Sequence, residues 1–215
     1  TNAAPRAAPT LVETLGGRVV RDIEGWEELW SEALYGEIEF ARGRLTIELT
    51  KGMTVIDVDG SPPPPALALA AVSAVAGALR RFDLSGSIAI DFPTISAKAD
   101  RQAVDAALSQ ALDDWPHERT AMNGFGLVQI VARRDRPSLL ELLARRPDAT
   151  ARMLMRRAER VREPGTLELS ANPCVRAAVR DGWEAELARR TGRQIRWRED
   201  PALALTAGFA QAVPA

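Results

Sequence analysis

The chain is poor in the residues that usually advertise chemistry. It has one cysteine, Cys174, in 215 residues. That excludes an intramolecular disulfide and any cysteine-cluster zinc site, and leaves a buried structural thiol as the expected role. It has one histidine, His117, for which a structural role is expected. The formal net charge is only -1, so no overall basic field draws nucleic acid, and RNA binding would have to rely on local patches. No apolar run approaches the length of a membrane span and no signal-peptide pattern opens the chain. A reducing cytoplasm is therefore the expected compartment. Thr1 stands where a native start would have Met, as in a processed or cloned fragment.

What is present is an ordinary globular composition, 46% apolar and 27% charged, in a chain long enough for one large or two small domains. Two stretches stand out. Thr54-Val55-Ile56-Asp57-Val58-Asp59 and Ser87-Ile88-Ala89-Ile90-Asp91-Phe92 are short β-branched or apolar runs that stop on a carboxylate. Each reads as a buried strand. A carboxylate leaving a core is costly unless it is hydrogen-bonded, paired or holding a cation. On neighbouring strands, two of them would point into one crevice.

Around these runs the pattern alternates between helix and strand. After an Ala/Pro-rich start, Gly17–Val20 reads as a strand, and Asp22 as the cap of a helix near 25–35 with Trp26, Leu29, Trp30 and Leu34 on one face. Residues 45–49 and 53–58 read as a hairpin across Lys51-Gly52. Pro62–Pro65 form a stiff connector that sets up the next helix. The Ala/Leu-rich run 66–81 is a covered helix, and 98–113 is a second, burying Val104, Leu108 and Leu112. Residues 125–132 read as a strand with Phe125 in its core, and Pro137 opens a short helix. The remainder, a helix over 149–161, strand 166–170, one or two helices over 173–190 and strand 194–198, looks like a separate small unit. Gly192 is expected to end a helix in the left-handed conformation. The tail after Pro201 is expected to fray.

The segments from Gly43 to Leu140 occur in a recognisable order: Gly43-Arg44-Leu45-Thr46-Ile47, Met53-Thr54-Val55-Ile56-Asp57-Val58, an Ala-rich helix, Asp83-Leu84-Ser85-Gly86, Ile88-Ala89-Ile90-Asp91-Phe92, Arg101-Gln102-Ala103-Val104, Phe125-Gly126-Leu127-Val128 and Arg136-Pro137-Ser138-Leu139. In that succession the chain resembles the catalytic region of the ribonuclease E/G family of bacterial endoribonucleases. Leu187–Ile195, with its Arg-Thr-Gly turn, resembles the same family's small C-terminal domain. The resemblance implies an α/β fold of the α+β kind, with a mixed sheet. It divides the chain into an N-terminal segment (1–40), a catalytic domain (41–146) and a small α+β domain (147–215).

The resemblance also implies chemistry. Asp57 and Asp91 match the family's metal-binding aspartates, which with Mg2+, or Mn2+ in its place, activate water to hydrolyse single-stranded RNA and leave a 5′-phosphate. Magnesium needs only one or two carboxylates and keeps several waters. Asp59 stands where the family usually has Asn, adding charge beside the metal. Lys98, Arg101, Arg119, Arg133 and Arg134 are the candidate phosphate contacts, since arginine offers a planar, always-charged fork. Phe125 and Val128 match a stretch that lines the base-binding surface.

Departures from the family pattern open two further readings. The loop after Asp57 is shortened to Asp59-Gly60-Ser61 and the prolines. The two-cysteine zinc link is absent, so neither zinc nor a zinc-linked dimer is expected. The S1-type module and 5′-end sensor of full-length relatives have no counterpart in these residues. A homo-oligomer, or a partner supplying an RNA-binding module, would fill that role. The chain then reads alternatively as an inactive RNA- or protein-binding relative, or as the C-terminal fragment of a longer ribonuclease.

Overall fold

The computed structural model describes residues 23–214. The expected strand at Gly17–Val20 and the cap at Asp22 lie outside them. Trp26–Leu142 form one compact unit, and the residues from Leu143 onward belong to a second.

The first unit runs α1 (Trp26–Tyr35), β1 (Glu37–Phe40), β2 (Gly43–Leu49), β3 (Thr54–Gly60), α2 (Pro64–Arg81), β4 (Gly86–Asp91), α3 (Lys98–Ala111), β5 (Glu118–Arg119), β6 (Leu127–Ala132) and α4 (Leu139–Leu143). The strands make one mixed sheet in the order β1-β2-β3-β4-β6-β5. Every neighbouring pair is antiparallel except β3 with β4, which is parallel. Antiparallel β2 and β3 need only a tight turn, and Thr50 supplies it. Its hydroxyl donates to the Met53 carbonyl and accepts from the Gly52 and Met53 amides. Parallel β3 and β4 need a crossover, which is α2. The proline run does as expected. Pro64 and Pro65 open α2, where the missing amides would have had no helical partner anyway.

Alternation in the strands decides what is buried. Leu45, Ile47, Ile56, Val58, Ile88, Ile90, Val128 and Ile130 form one face and are all buried. α2 covers it, packing on β1, β2 and β3 and on α3. Ala68, Ala71, Val75 and Leu79 of α2 are buried, as are Val104 and Leu108 of α3. α2 is less uniformly covered than its composition suggests, since Leu69 is 44% exposed. The other sheet face is open, the usual solution for a sheet with helices on one side. Two strands, β1 and β5, were not expected from the sequence pattern. Phe125 is not strand core: β6 begins at Leu127, and Phe125 stands 81% exposed in the turn before it.

The second unit contains α5 (Arg146–Glu159), β7 (Thr166–Ala171), α6 (Pro173–Ala177), α7 (Trp183–Thr191), β8 (Ile195–Glu199) and β9 (Gly208–Val213). β7 lies between β8, parallel to it, and β9, antiparallel. The helices bury one sheet face in a core of Leu154, Ala158, Leu169, Ala171, Trp183 and Leu187. Gly192 ends α7 with φ 68°, the left-handed conformation that needs no Cβ.

Two expectations are overturned here. The tail does not fray over 208–213, because β7 has an open edge that β9 satisfies along its whole length. Cys174 is exposed rather than buried. It lies in the first turn of the five-residue α6, which turns Val175 inward. His117 is structural, its Nδ1 2.6 Å from the Trp115 carbonyl and its ring stacked on the Trp115 indole.

The core reading yields a stability test. Ile90→Ala, at a fully buried sheet position beside Asp91, should lower the urea-unfolding free energy by about 2–5 kcal/mol. Leu69→Ala, on the exposed side of α2, should cost less than about 1 kcal/mol.

Candidate functional site

The open face of the six-stranded sheet carries the acids. In the parallel pair, Asp57 of β3 stands directly beside Asp91 of β4. Asp91 is the last residue of its strand, whereas β3 runs on past Asp57 to Gly60, so the expected strand end at Asp57 is only the end of its pairing with β4. Neighbouring strands are about 4.8 Å apart, so the two carboxylates share one position on the face. Across the hairpin, Thr46 of β2 pairs with Asp57, and Arg44 pairs with Asp59. On the other side, Leu127 of β6 pairs with Asp91. Asp57 is half-buried, whereas Asp59 and Asp91 are exposed.

This crowding raises the pKa of the Asp57 carboxyl above its ordinary 3.8. Burial is the largest cause, followed by the charges of Asp59 and Asp91 and a hydrogen bond with the Asp59 side chain. The site thus holds more negative charge than its surroundings neutralise, and a cation would relieve it. Among the described residues no group of three or more His, Cys, Asp or Glu side chains is arranged to hold a metal ion. The donor set on offer is the Asp57–Asp91 pair, a set that suits a magnesium ion whose remaining ligands are water.

The loop leading into β6 is built tightly against this end of the sheet. Gly126 has φ 99°, and a Cβ there would lie 2.1 Å from the Phe92 carbonyl oxygen. Only glycine permits that approach. Asn123 holds the turn from within, its side-chain oxygen accepting from the Phe125 and Leu127 amides. Thr94 donates to the Phe125 carbonyl at 3.2 Å. Phe125 is thereby displayed two residues from Leu127, the cross-strand neighbour of Asp91.

The other candidates fall elsewhere. Val128 is fully buried on the helix-covered face, so it supports the sheet and does not touch the open side. Arg119 turns towards α3, ion-paired with Asp105 at 3.0 Å and donating to Ser109. Arg101 donates to the Ile95 and Ser96 carbonyls, which secures the loop between β4 and α3. Arg133 pairs with Asp135 and Arg134 with Glu141. Both follow Ala132, which pairs with Gly86 at the far end of β4 from Asp91. Five residues of strand, about 17 Å, separate them from the acids. Lys98 is exposed at the start of α3 and has no ion pair among the described residues.

Arg44 was not singled out from the sequence, although it is the basic residue whose strand register brings it beside the acids. Its signal was the alternation Arg44-Thr46-Glu48 against buried Leu45 and Ile47, combined with a hairpin turn fixed at Thr50. A cavity of about 340 Å³ lies at the β1 edge, lined by Glu28, Ser31, Glu32, Tyr35, Glu37 and Glu39. Four carboxylates make it unfit for a phosphate.

A family model described as the Ribonuclease E/G family matches residues 17–135, more than half of the chain. No curated protein matches it.

The raised pKa of Asp57 predicts a pH effect. A folded pKa above the unfolded one means that the native state binds more protons across that interval, so stability falls as pH rises from about 3.8 upward. Asp57→Asn removes this loss. Its thermal midpoint should exceed that of the wild type at about pH 7, and the advantage should vanish near pH 3. Thermal melts across that range in metal-free buffer would check it, and equal midpoints at neutral pH would refute the assignment.

Proposed function

The chain belongs to the ribonuclease E/G family, and on that premise we propose that it is a magnesium-dependent endoribonuclease that cuts single-stranded RNA on the Asp57–Asp91 face. The observation that carries this reading is the register of the parallel strand pair, which sets two carboxylates side by side at the last pair of its ladder. No helix among the described residues is long and apolar enough to cross a membrane, and the proposed substrate is met on an open polar surface.

Asp57 and Asp91 would hold the ion between them. When bound, magnesium supplies a water of lowered pKa and neutralises charge on the phosphoryl oxygens. Phe125, displayed beside Asp91, offers its ring to a base of the RNA. Stacking of this kind is tolerant of sequence because every base has a π-face. Arg44, cross-strand from Asp59, and exposed Lys98 are the cations placed to meet a phosphate near the acids. Manganese, which accepts the same oxygen ligands, would serve in place of magnesium.

A second reading has its own support. Asp59, the residue found where the family usually has Asn, adds a negative charge that helps to raise the pKa of Asp57. The unit formed by residues 26–142 also contains eleven Lys and Arg against seventeen Asp and Glu, a formal charge of -6. Both features favour a relative that has kept the fold without the reaction and binds RNA or protein.

Cleavage of a fluorescent single-stranded RNA distinguishes the two. Wild type should cut with magnesium and stop with EDTA. Asp57→Asn and Asp91→Asn should each lose about a hundredfold or more, as expected when an electrostatic group at a reacting centre is removed. Asp59→Asn, which restores the family residue, should keep or gain activity. If wild type and all three variants are equally inert while RNA still binds, the catalytic reading fails and the binding reading replaces it.

A further inference from the structure

The three-stranded sheet of the second unit has a face turned away from its helices, and its composition is unlike that of the acidic sheet. Cross-strand register arranges it in rows. One row is Arg198 of β8, Ser170 of β7 and Phe209 of β9, and the next is Arg196, Glu168 and Gln211. The helix-facing residues of the same strands, Leu169, Trp197 and Ala210, belong to the core. Alternation therefore sends the two rows outward.

Phe209 stands 44% exposed in this face, and Arg196, Arg198 and Gln211 are exposed beside it. Glu168 offsets only one of the two arginine charges, although both Arg196 and Arg198 act on its carboxyl. It is buried and fully engaged, accepting from Arg196 at 2.7 Å and from Gln211 at 3.0 Å. These bonds, that of Arg196 first, hold its carboxyl below the ordinary carboxylate range. Arg198 has no hydrogen bond or ion pair among the described residues. Between it and Phe209, the hydroxyl of Ser170 is fully buried without a hydrogen-bond partner.

The unit's charge points the same way. Residues 143–214 contain fourteen arginines, no lysine, and nine Asp and Glu, a formal charge of +5. Arginine is the residue suited to forked contact with phosphate.

We infer that this face is a second contact surface for single-stranded RNA, with a base stacked on Phe209 and the adjoining backbone phosphate held by Arg198. An exposed aromatic on a sheet surface, with a planar cation in the same cross-strand row, is a general arrangement by which sheets bind unpaired nucleotides. The charge favours a polyanion, and the ring favours one with stacking faces. Arg196 and Gln211, both bonded to Glu168, border the surface. The choice of RNA as the polyanion rests on the proposed substrate of the chain, but the surface is independent of Asp57 and Asp91.

The test is fluorescence anisotropy of a labelled single-stranded oligouridine with the full chain in EDTA, so that cleavage does not intervene. Phe209→Ala should weaken binding about tenfold or more, and Phe209→Tyr, which keeps the stacking ring, should restore it. Arg198→Ala should reduce the slope of log affinity against log salt by about one. Unchanged binding in Phe209→Ala and Arg198→Ala overturns the inference, as does a wild type that binds no RNA. It is also overturned if Phe209→Ala leaves RNA affinity intact but shifts the sedimenting mass from dimer to monomer, which assigns the face to a second copy of the chain. Cleavage run in parallel separates this inference from the catalytic one. RNA bound through Phe209 but never cut sustains the surface and sinks the nuclease, and cutting indifferent to Phe209 does the reverse.

Discussion

The first unit depends on the parallel pairing of β3 with β4. Antiparallel neighbours place the C-terminal end of one strand beside the N-terminal end of the next. Parallel neighbours bring both ends to the same edge. That arrangement needs a long connection over one face, and α2 provides it. The apolar surface that α2 buries against Ile56 and Val58 fixes the phase of the alternation, which turns Asp57 to the opposite, open side. The hydrophobic core and the acid pair are thus two consequences of one topology. Moving the register by a single residue would bury the carboxylates under α2 and expose the isoleucines.

The two units divide charge between them. The unit that holds the acid pair is negative overall, and the one that follows is positive by nearly the same amount, so the small net charge of the chain conceals two opposite fields. A polyanion would gain little from the acidic sheet without a cation at Asp57 and Asp91, because Glu48, Asp57, Asp59 and Asp91 all lie on its open side. In that geometry the metal would contribute to binding as well as to chemistry. Affinity that does not depend on the metal has to be drawn from the arginine-rich remainder.

Much of the fold was legible because the strongest signals are local. The runs ending on Asp57 and Asp91, the hairpin at Thr50, the proline-led α2, the buried stripe of α3 and the left-handed Gly192 are each written in a few adjacent residues. β1 and β9 were not legible. Glu37-Ile38-Glu39-Phe40 is short, and Gly208–Val213 is rich in Gly and Ala. Both become strands because a neighbour has an open edge to be paired, which is a tertiary cause. The same limit applies to Cys174, whose composition-based expectation of burial lost to the direction in which a five-residue helix turns Val175 inward.

The candidate site shows where single-sequence reading runs out. Carboxylates at strand ends are visible because their position is anomalous for a buried run. Arginines carry no such mark, since a surface arginine and a structural one look alike in sequence. Arg101 is consumed by two carbonyls, Arg119 by Asp105 and Ser109, Arg133 by Asp135 and Arg134 by Glu141. What a guanidinium can offer a phosphate is set by what it has already bonded, and those partners are brought to it by the fold. By that criterion Arg44, whose strand register places it beside Asp59, is left to the acid face. Val128 is separated from RNA by the same logic, since its place in the alternation, between Leu127 and Gln129, commits it to the covered side. Phe125 escapes that commitment only because Gly126 lets the chain turn before the strand begins.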